Sequence, residues 1–248
     1  MPYRRLPTTD KARIRALNVA IELAEKGDIE KLAFSKETLS KLKQVKTTFE
    51  STLQIYKTDV KKQSEEGKDY KFLMKEAALY VSHFIQVLYM TIERKEIKEE
   101  ALNFYGLDSF AGKVPSLNSE EELLKWGAKI IEGEQKRIQQ GGNPIYSPSI
   151  AMVKISFEKF KDSVVYMQNM CKITTRYSEQ VKVNRISTNH FICELWNEIE
   201  ESIKNNNSKH KRKIAQDYGI VYILRRKEKK KLMSGNLQQT LQFDWGKP

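Results

Sequence analysis

The sequence predicts an all-α protein made of two copies of a three-helix repeat. Apolar residues recur at steps of three and four over long stretches, the period of a helix with one buried face. The block Ser82–Glu93 returns at Asn189–Glu200, where His, Phe, Ile, Leu, Ile and Glu repeat in one register 107 positions apart. Other blocks return in the same order. Leu6–Asp10 is answered by Val114–Asn118 and Val45–Glu50 by Val153–Glu158, each at an offset of 108. Ala33–Ser35 is answered by Ile145–Ser147, and Phe104-Tyr105-Gly106-Leu107 by Asp217-Tyr218-Gly219-Ile220.

The first helix of the first repeat is expected to start at Asp10, whose short carboxylate suits an N-cap, and to run through Ile14, Leu17, Ala20, Ile21 and Ala24 to Gly27. The second helix, capped near Ser35, carries Leu39, Leu42, Phe49, Leu53, Tyr56 and Val60 on one stripe. The third is expected to begin after Gly67, with Met74, Ala77, Ala78, Val81, Phe84, Ile85, Leu88 and Ile92 on its inner face, and to fade near Lys98. In the second repeat the first helix runs through Leu123, Leu124, Trp126, Ile130 and Ile131, behind acids at Glu120–Glu122 that favour the helix dipole. It stops at Gly141-Gly142-Asn143-Pro144, and two long helices follow. The extra residues of this repeat are placed at Asn205–Ser208.

Two copies paired about a pseudo-twofold axis form an up-and-down bundle of four long helices, flanked by the two shorter ones. The expected organisation is residues 1–108 and 109–224 as two repeats of one bundle, and 225–248 as a tail. Ile220–Leu224, rich in β-branched and aromatic residues, reads as a short strand or an extended docking segment.

Composition narrows the function classes. The 248 residues are 40% hydrophobic and 31% charged, the balance of a soluble globular chain. No apolar run reaches the roughly 20 residues of a membrane span. The opening Met-Pro-Tyr-Arg-Arg-Leu-Pro lacks the apolar core of a secretory signal. Cys171 and Cys193 sit in helical patterns without metal-ligand spacing and are expected to be buried, reduced thiols of a cytoplasmic protein. The net charge of +12 is concentrated late, because Lys204–Lys231 holds eleven Lys or Arg against Asp217 and Glu228.

That basic segment is the strongest functional candidate. Lys209, Lys211, Arg212, Lys213, Arg225, Arg226, Lys227, Lys229, Lys230 and Lys231 flank the extended run, and such charges displace counterions from a phosphate backbone. The bland alternative is a solvated, solubilising tail. Further on, Gln238-Gln239-Thr240-Leu241-Gln242-Phe243 is similar to the short Gln-x-x-Leu-x-Phe peptides that dock in sliding-clamp pockets, although Gln242 stands where a second apolar residue is usual. With Trp245, the residues Gln238, Leu241 and Phe243 are candidates for docking on a protein assembly.

Catalytic and metal readings are poorer. His83 and His190 recur in register, but neither follows a Glu at the Glu-x-x-His spacing of a bundle metal site. They are read as structural, with metal binding or enzyme chemistry as the alternative, and no cofactor is expected. Cys193 lies near His190 without an orienting acid, and the first repeat has Gln86 in its place. Gly141-Gly142 follows a helix rather than a strand, so it is a helix stop and not a phosphate loop.

The opening Met-Pro-Tyr-Arg-Arg-Leu-Pro, Ser82–Leu88, Phe104–Leu107 and Gly133-Glu134-Gln135-Lys136-Arg137-Ile138 resemble an uncharacterised family of bacterial helical proteins. The resemblance covers about residues 1–225. It implies a helical repeat bundle and brings no site residues. The function expected is therefore a non-enzymatic helical binding or scaffold protein that contacts DNA, RNA or a ribonucleoprotein through its basic end, or a protein assembly through its tail.

Overall fold

The computed structural model describes residues 3–26, 32–205, 207–223, 225, 226 and 230. The fold is all-α, with six helices among the described residues and one two-stranded sheet. In chain order the elements are β1 (Tyr3–Arg4), α1 (Asp10–Lys26), α2 (Lys36–Glu93), α3 (Leu102–Tyr105), α4 (Glu120–Gln139), α5 (Ile150–Ser202), α6 (Ser208–Asp217) and β2 (Tyr222–Ile223).

The start signals act close to where the residues place them. Ser35 Oγ accepts from the Thr38 N–H at 3.1 Å and opens α2. At α4, Ser119 Oγ accepts from the Glu122 N–H while the Glu122 side chain accepts from the Ser119 N–H, a reciprocal capping box. The cap of α1 is displaced by one residue. Thr9 Oγ1 accepts from the Ala12 N–H at 3.2 Å, and Asp10 is the first helical residue. The Asp10 carboxylate has turned away to accept from Arg13 at 3.0 Å and from Arg185 at 2.9 and 2.7 Å.

The helix count needs a correction. The breaks expected between the second and third helices of each repeat do not occur, and each pair is one continuous helix of 58 or 53 residues. Gly67 lies inside α2, where a Gly costs only about 1 kcal/mol relative to Ala. A Cβ there would meet only the tip of Met167 at 3.9 Å. In α5 there is neither Gly nor Pro to stop the helix. The stripes themselves are where the periodicity puts them. Leu42, Phe49 and Leu53 are buried on α2, as are Ala77, Val81, Phe84, Ile85 and Leu88.

Two compact units result, and each takes segments of both expected repeats. The first comprises residues 1–56 and 177–248, and the second residues 57–176. In the first, Leu17, Ala20 and Ala24 of α1 pack with Ile192, Leu195, Trp196 and Ile199 of α5, closed by Ala215 of α6 and by Phe34 edge-on to Tyr218. In the second, Val81, Phe84, Ile85 and Leu88 of α2 pack with Leu123, Trp126 and Ile130 of α4 and with Val153 and Phe160 of α5. Each such Leu, Ile, Val or Phe side chain taken from water stabilises by about 1.5–3 kcal/mol.

A shared turn closes each unit. Gly106 and Gly219 adopt left-handed backbone angles, φ 67° and 85°. Their N–H groups donate to Asn103 O and Gln216 O, and the next N–H groups, of Leu107 and Ile220, reach back to Leu102 O and Ala215 O. This double bond pattern ends a helix only where a residue tolerates positive φ, hence Gly. It drives Tyr105 and Leu107, and Tyr218 and Ile220, into their respective cores.

Candidate nucleic-acid interface

The basic region belongs to the first unit, and part of it is helical where the charge run gave no helix expectation. Along α6 the chain turns Ala215 inward and leaves His210, Arg212 and Lys213 exposed, with Lys211 half-buried. Lys209 also lies on this helix. The side chains of Lys211, Arg212 and Lys213 make no hydrogen bond or ion pair among the described residues. After Gly219 the chain extends into β2, the strand expected within Ile220–Leu224.

What the sequence did not disclose is the partner of that strand. β1 pairs antiparallel with β2, Tyr3 opposite Ile223 and Arg4 opposite Tyr222, and the Arg5 N–H donates to Val221 O at 2.8 Å. The pairing brings the Arg4-Arg5 dipeptide beside the late basic segment. Arg4 donates to Asn197 Oδ1 at 2.7 Å and lies 3.5 Å from a Glu200 carboxylate oxygen, while the Tyr222 hydroxyl donates to the other Glu200 oxygen at 2.7 Å. Burial, reinforced by that carboxylate, raises the Tyr222 pKa, and the charges of Arg4 and Arg212 act in the opposite sense. One tyrosine therefore feels an arginine of the opening strand and one of α6. The only signal that could have found this was the Arg-Arg pair in the opening run, and a two-residue strand is too short to announce its register.

The remaining candidates fall as follows. Arg225, Arg226 and Lys230 are exposed beyond β2. Lys227, Lys229 and Lys231, and the docking candidates Gln238, Leu241, Phe243 and Trp245, lie outside the described residues. His83 is in the second unit and exposed, on the rim of a hollow with Tyr80, Val87 and Met152. His190 is in the first unit and also exposed, its Nδ1 3.4 Å from Glu194. Neither packs into a core, and both lie at the surface, His83 on the same side of α2 as the exposed Met90. Among the described residues no group of three or more His, Cys, Asp or Glu is placed to hold a metal ion. The expectation of buried thiols is also corrected: Cys171 is exposed, accepting from Gln63 Nε2, and Cys193 is half-buried. Both point off the inner stripe of α5, which Met170, Ile192 and Leu195 occupy. No described helix is long and apolar enough to cross a membrane.

A second charged cluster, in the second unit, escaped sequence reading. Glu134 and Arg137 of α4 are buried together with Tyr105. Arg137 donates twice to Glu134, each at 2.8 Å, once to the Tyr105 hydroxyl at 2.8 Å and once to Asn143 O at 2.7 Å. Glu134 accepts in addition from Tyr105 and from the Ile145 N–H. Burial and the neighbouring Glu134 carboxylate push the Tyr105 hydroxyl well above the usual phenol range. All of these bonds end on the protein itself. The cluster ties the loop after α4 to α3 and is a fastening, not a reaction centre. Its only trace in the sequence is the Gly133-Glu134 pair in an otherwise apolar stripe.

Compared with protein-family models, with curated proteins and with solved structures, the chain has no match.

Proposed function

We propose that the protein is a non-enzymatic helical scaffold whose basic end, joined by its opening strand, contacts nucleic acid or a ribonucleoprotein. The observation that carries this reading is the β1–β2 pairing, which adds Arg4 and Arg5 to the unit that already holds Lys211, Arg212 and Lys213. A purely solubilising tail would not require cations from the opposite end of the sequence to be fixed beside it. The side chains of Arg5, Arg212 and Lys213, unpaired among the described residues and held beside the sheet and on α6, offer several phosphate contacts without a folding cost on binding.

Titration of the full chain against labelled duplex DNA and structured RNA at several salt concentrations tests the reading. Binding is expected to weaken steeply with salt, with a log–log slope of about −0.9 per phosphate contacted on duplex DNA. Reversing Arg212 and Lys213 together to Glu is expected to lower affinity at least tenfold and to reduce the slope by about 2. Affinity no better than that of a free peptide of sequence 225–231 would sink the proposal.

A further inference from the structure

The first unit carries a groove that the basic surface does not account for. It runs between the extended segment Arg5–Thr8 and one face of α1, and the return from Gly219 to Tyr222 closes its far side. Its volume is about 650 Å³, within the size range of small-ligand sites. The floor is apolar, from Ala16, Val19 and Ile220 with the Trp196 ring. Among the described residues, Arg5 and Arg15 are the charged ones that line it, and no carboxylate does. Both arginines are exposed, and the side chain of neither makes a hydrogen bond or ion pair among the described residues. The indole N–H of Trp196 is buried without an acceptor.

An apolar slot with two unpaired guanidinium groups at its edge is complementary to an anion that carries a flat or apolar body. Guanidinium planes both pair with phosphate and stack on bases. Beyond the slot lie the cations of Arg4 and α6, with the Glu200 carboxylate between them on the hydroxyl of Tyr222, which lines the slot. A ligand with recurring anions fits these cations better than one with a single carboxylate. The stretch of the second unit that corresponds in order is held down by its own side chains. There the Tyr89 hydroxyl, in the place of Trp196, donates to Lys113 O at 3.3 Å, and Phe110 sits edge-on to Trp126.

We infer that this groove seats an unstacked nucleotide of a single strand, its base against the apolar floor and its phosphates on Arg5 and Arg15. The inference rests on the nucleic-acid reading above and sharpens it. A duplex keeps its bases inside the stack and can offer the groove only its backbone, so the protein should prefer single-stranded or looped nucleic acid.

The test compares a labelled single strand of about 15 nucleotides with a duplex of the same length, using the full chain and two variants. One carries Arg5→Glu and Arg15→Glu, and the other fills the slot with Ala12→Phe. Thermal melts confirm that each remains folded. The expected result is tighter binding of the single strand, a loss of about tenfold on it in both groove variants, little change on the duplex for Ala12→Phe, and for the charge variant a loss on the duplex clearly smaller than that on the single strand. Equal affinity for the two forms, or equal loss on both, overturns the groove assignment and leaves the basic surface standing. No binding of either form by the wild type removes the nucleic-acid reading itself. If only a Trp-containing acidic peptide then binds, and Arg5→Glu with Arg15→Glu abolishes it, the groove belongs to a protein segment and the inference is wrong.

Discussion

Two buried arginines show how a charge can be kept inside a small helical core. Arg137 donates from Nε and Nη2 to Glu134, the Tyr105 hydroxyl and Asn143 O, and Glu134 accepts from Arg137, Tyr105 and the Ile145 N–H, so the desolvation of each is offset by several bonds. Taking away one partner leaves the other stranded. Arg137→Met is therefore expected to destabilise the protein by about 3–5 kcal/mol in urea unfolding, whereas replacing Glu134 and Arg137 together by apolar residues of similar size costs far less. Arg13 is held differently. It bonds Asn189, Thr8 O and Asp10, and Asp10 is shared with Arg185. The hydrogen bond from Arg185 is the chief reason that the Asp10 carboxyl lies below the ordinary value of 3.8. A lowered folded value means the stabilisation is complete above about pH 4 and is lost as the pH falls through the folded value. Asp10→Asn should thus lower stability near neutrality and flatten its fall in acid, as followed by thermal melting between pH 2 and pH 6.

At the scale of elements, tight approach and turn geometry decide more than helix propensity. Gly133 lies against α3, and a Cβ there would meet Tyr105 Cδ1 at 2.6 Å and Phe104 O at 2.7 Å. Ala in a helix interior is normally better than Gly by about 1 kcal/mol. Here a backbone carbonyl has to move, so Gly133→Ala is expected to lower stability by about 1–3 kcal/mol and not raise it. The same substitution at Gly67 has open space and should stabilise slightly, so melting temperatures of the two variants should shift in opposite directions. This contrast also explains what could be read from the residues. The apolar stripes and the Tyr-Gly turns were legible because period and positive φ leave marks in a sequence. The continuity of α2 was not, since a Gly that breaks a helix and one that is merely tolerated look alike until the neighbours are known. The groove was illegible for the same reason: Arg5, Arg15 and Val221 meet only through tertiary pairing.

The molecule as a whole does not divide at the repeat boundary. The core of the first unit needs α1 from one expected repeat and Ile192–Ile199 of α5 from the other, and the core of the second needs Phe84 and Leu88 of α2 beside Leu123 and Ile130 of α4. A fragment of residues 1–108 carries one side of each core and the other side of neither. It is expected to show helix by circular dichroism but no cooperative melt as a monomer, and to regain one when mixed with 109–248. A sharp melt of the isolated fragment at low concentration would contradict this division.

The register of the small sheet has a mechanical side. Tyr3 faces Ile223, so the outer ends of both strands lie at the same edge of the sheet. Tension applied across those ends would load the strand bonds in succession, as in opening a zipper, instead of shearing them together. The arginine-bearing strand would peel first, unseating Arg5 from Val221 and opening the groove while the helical core below stayed intact.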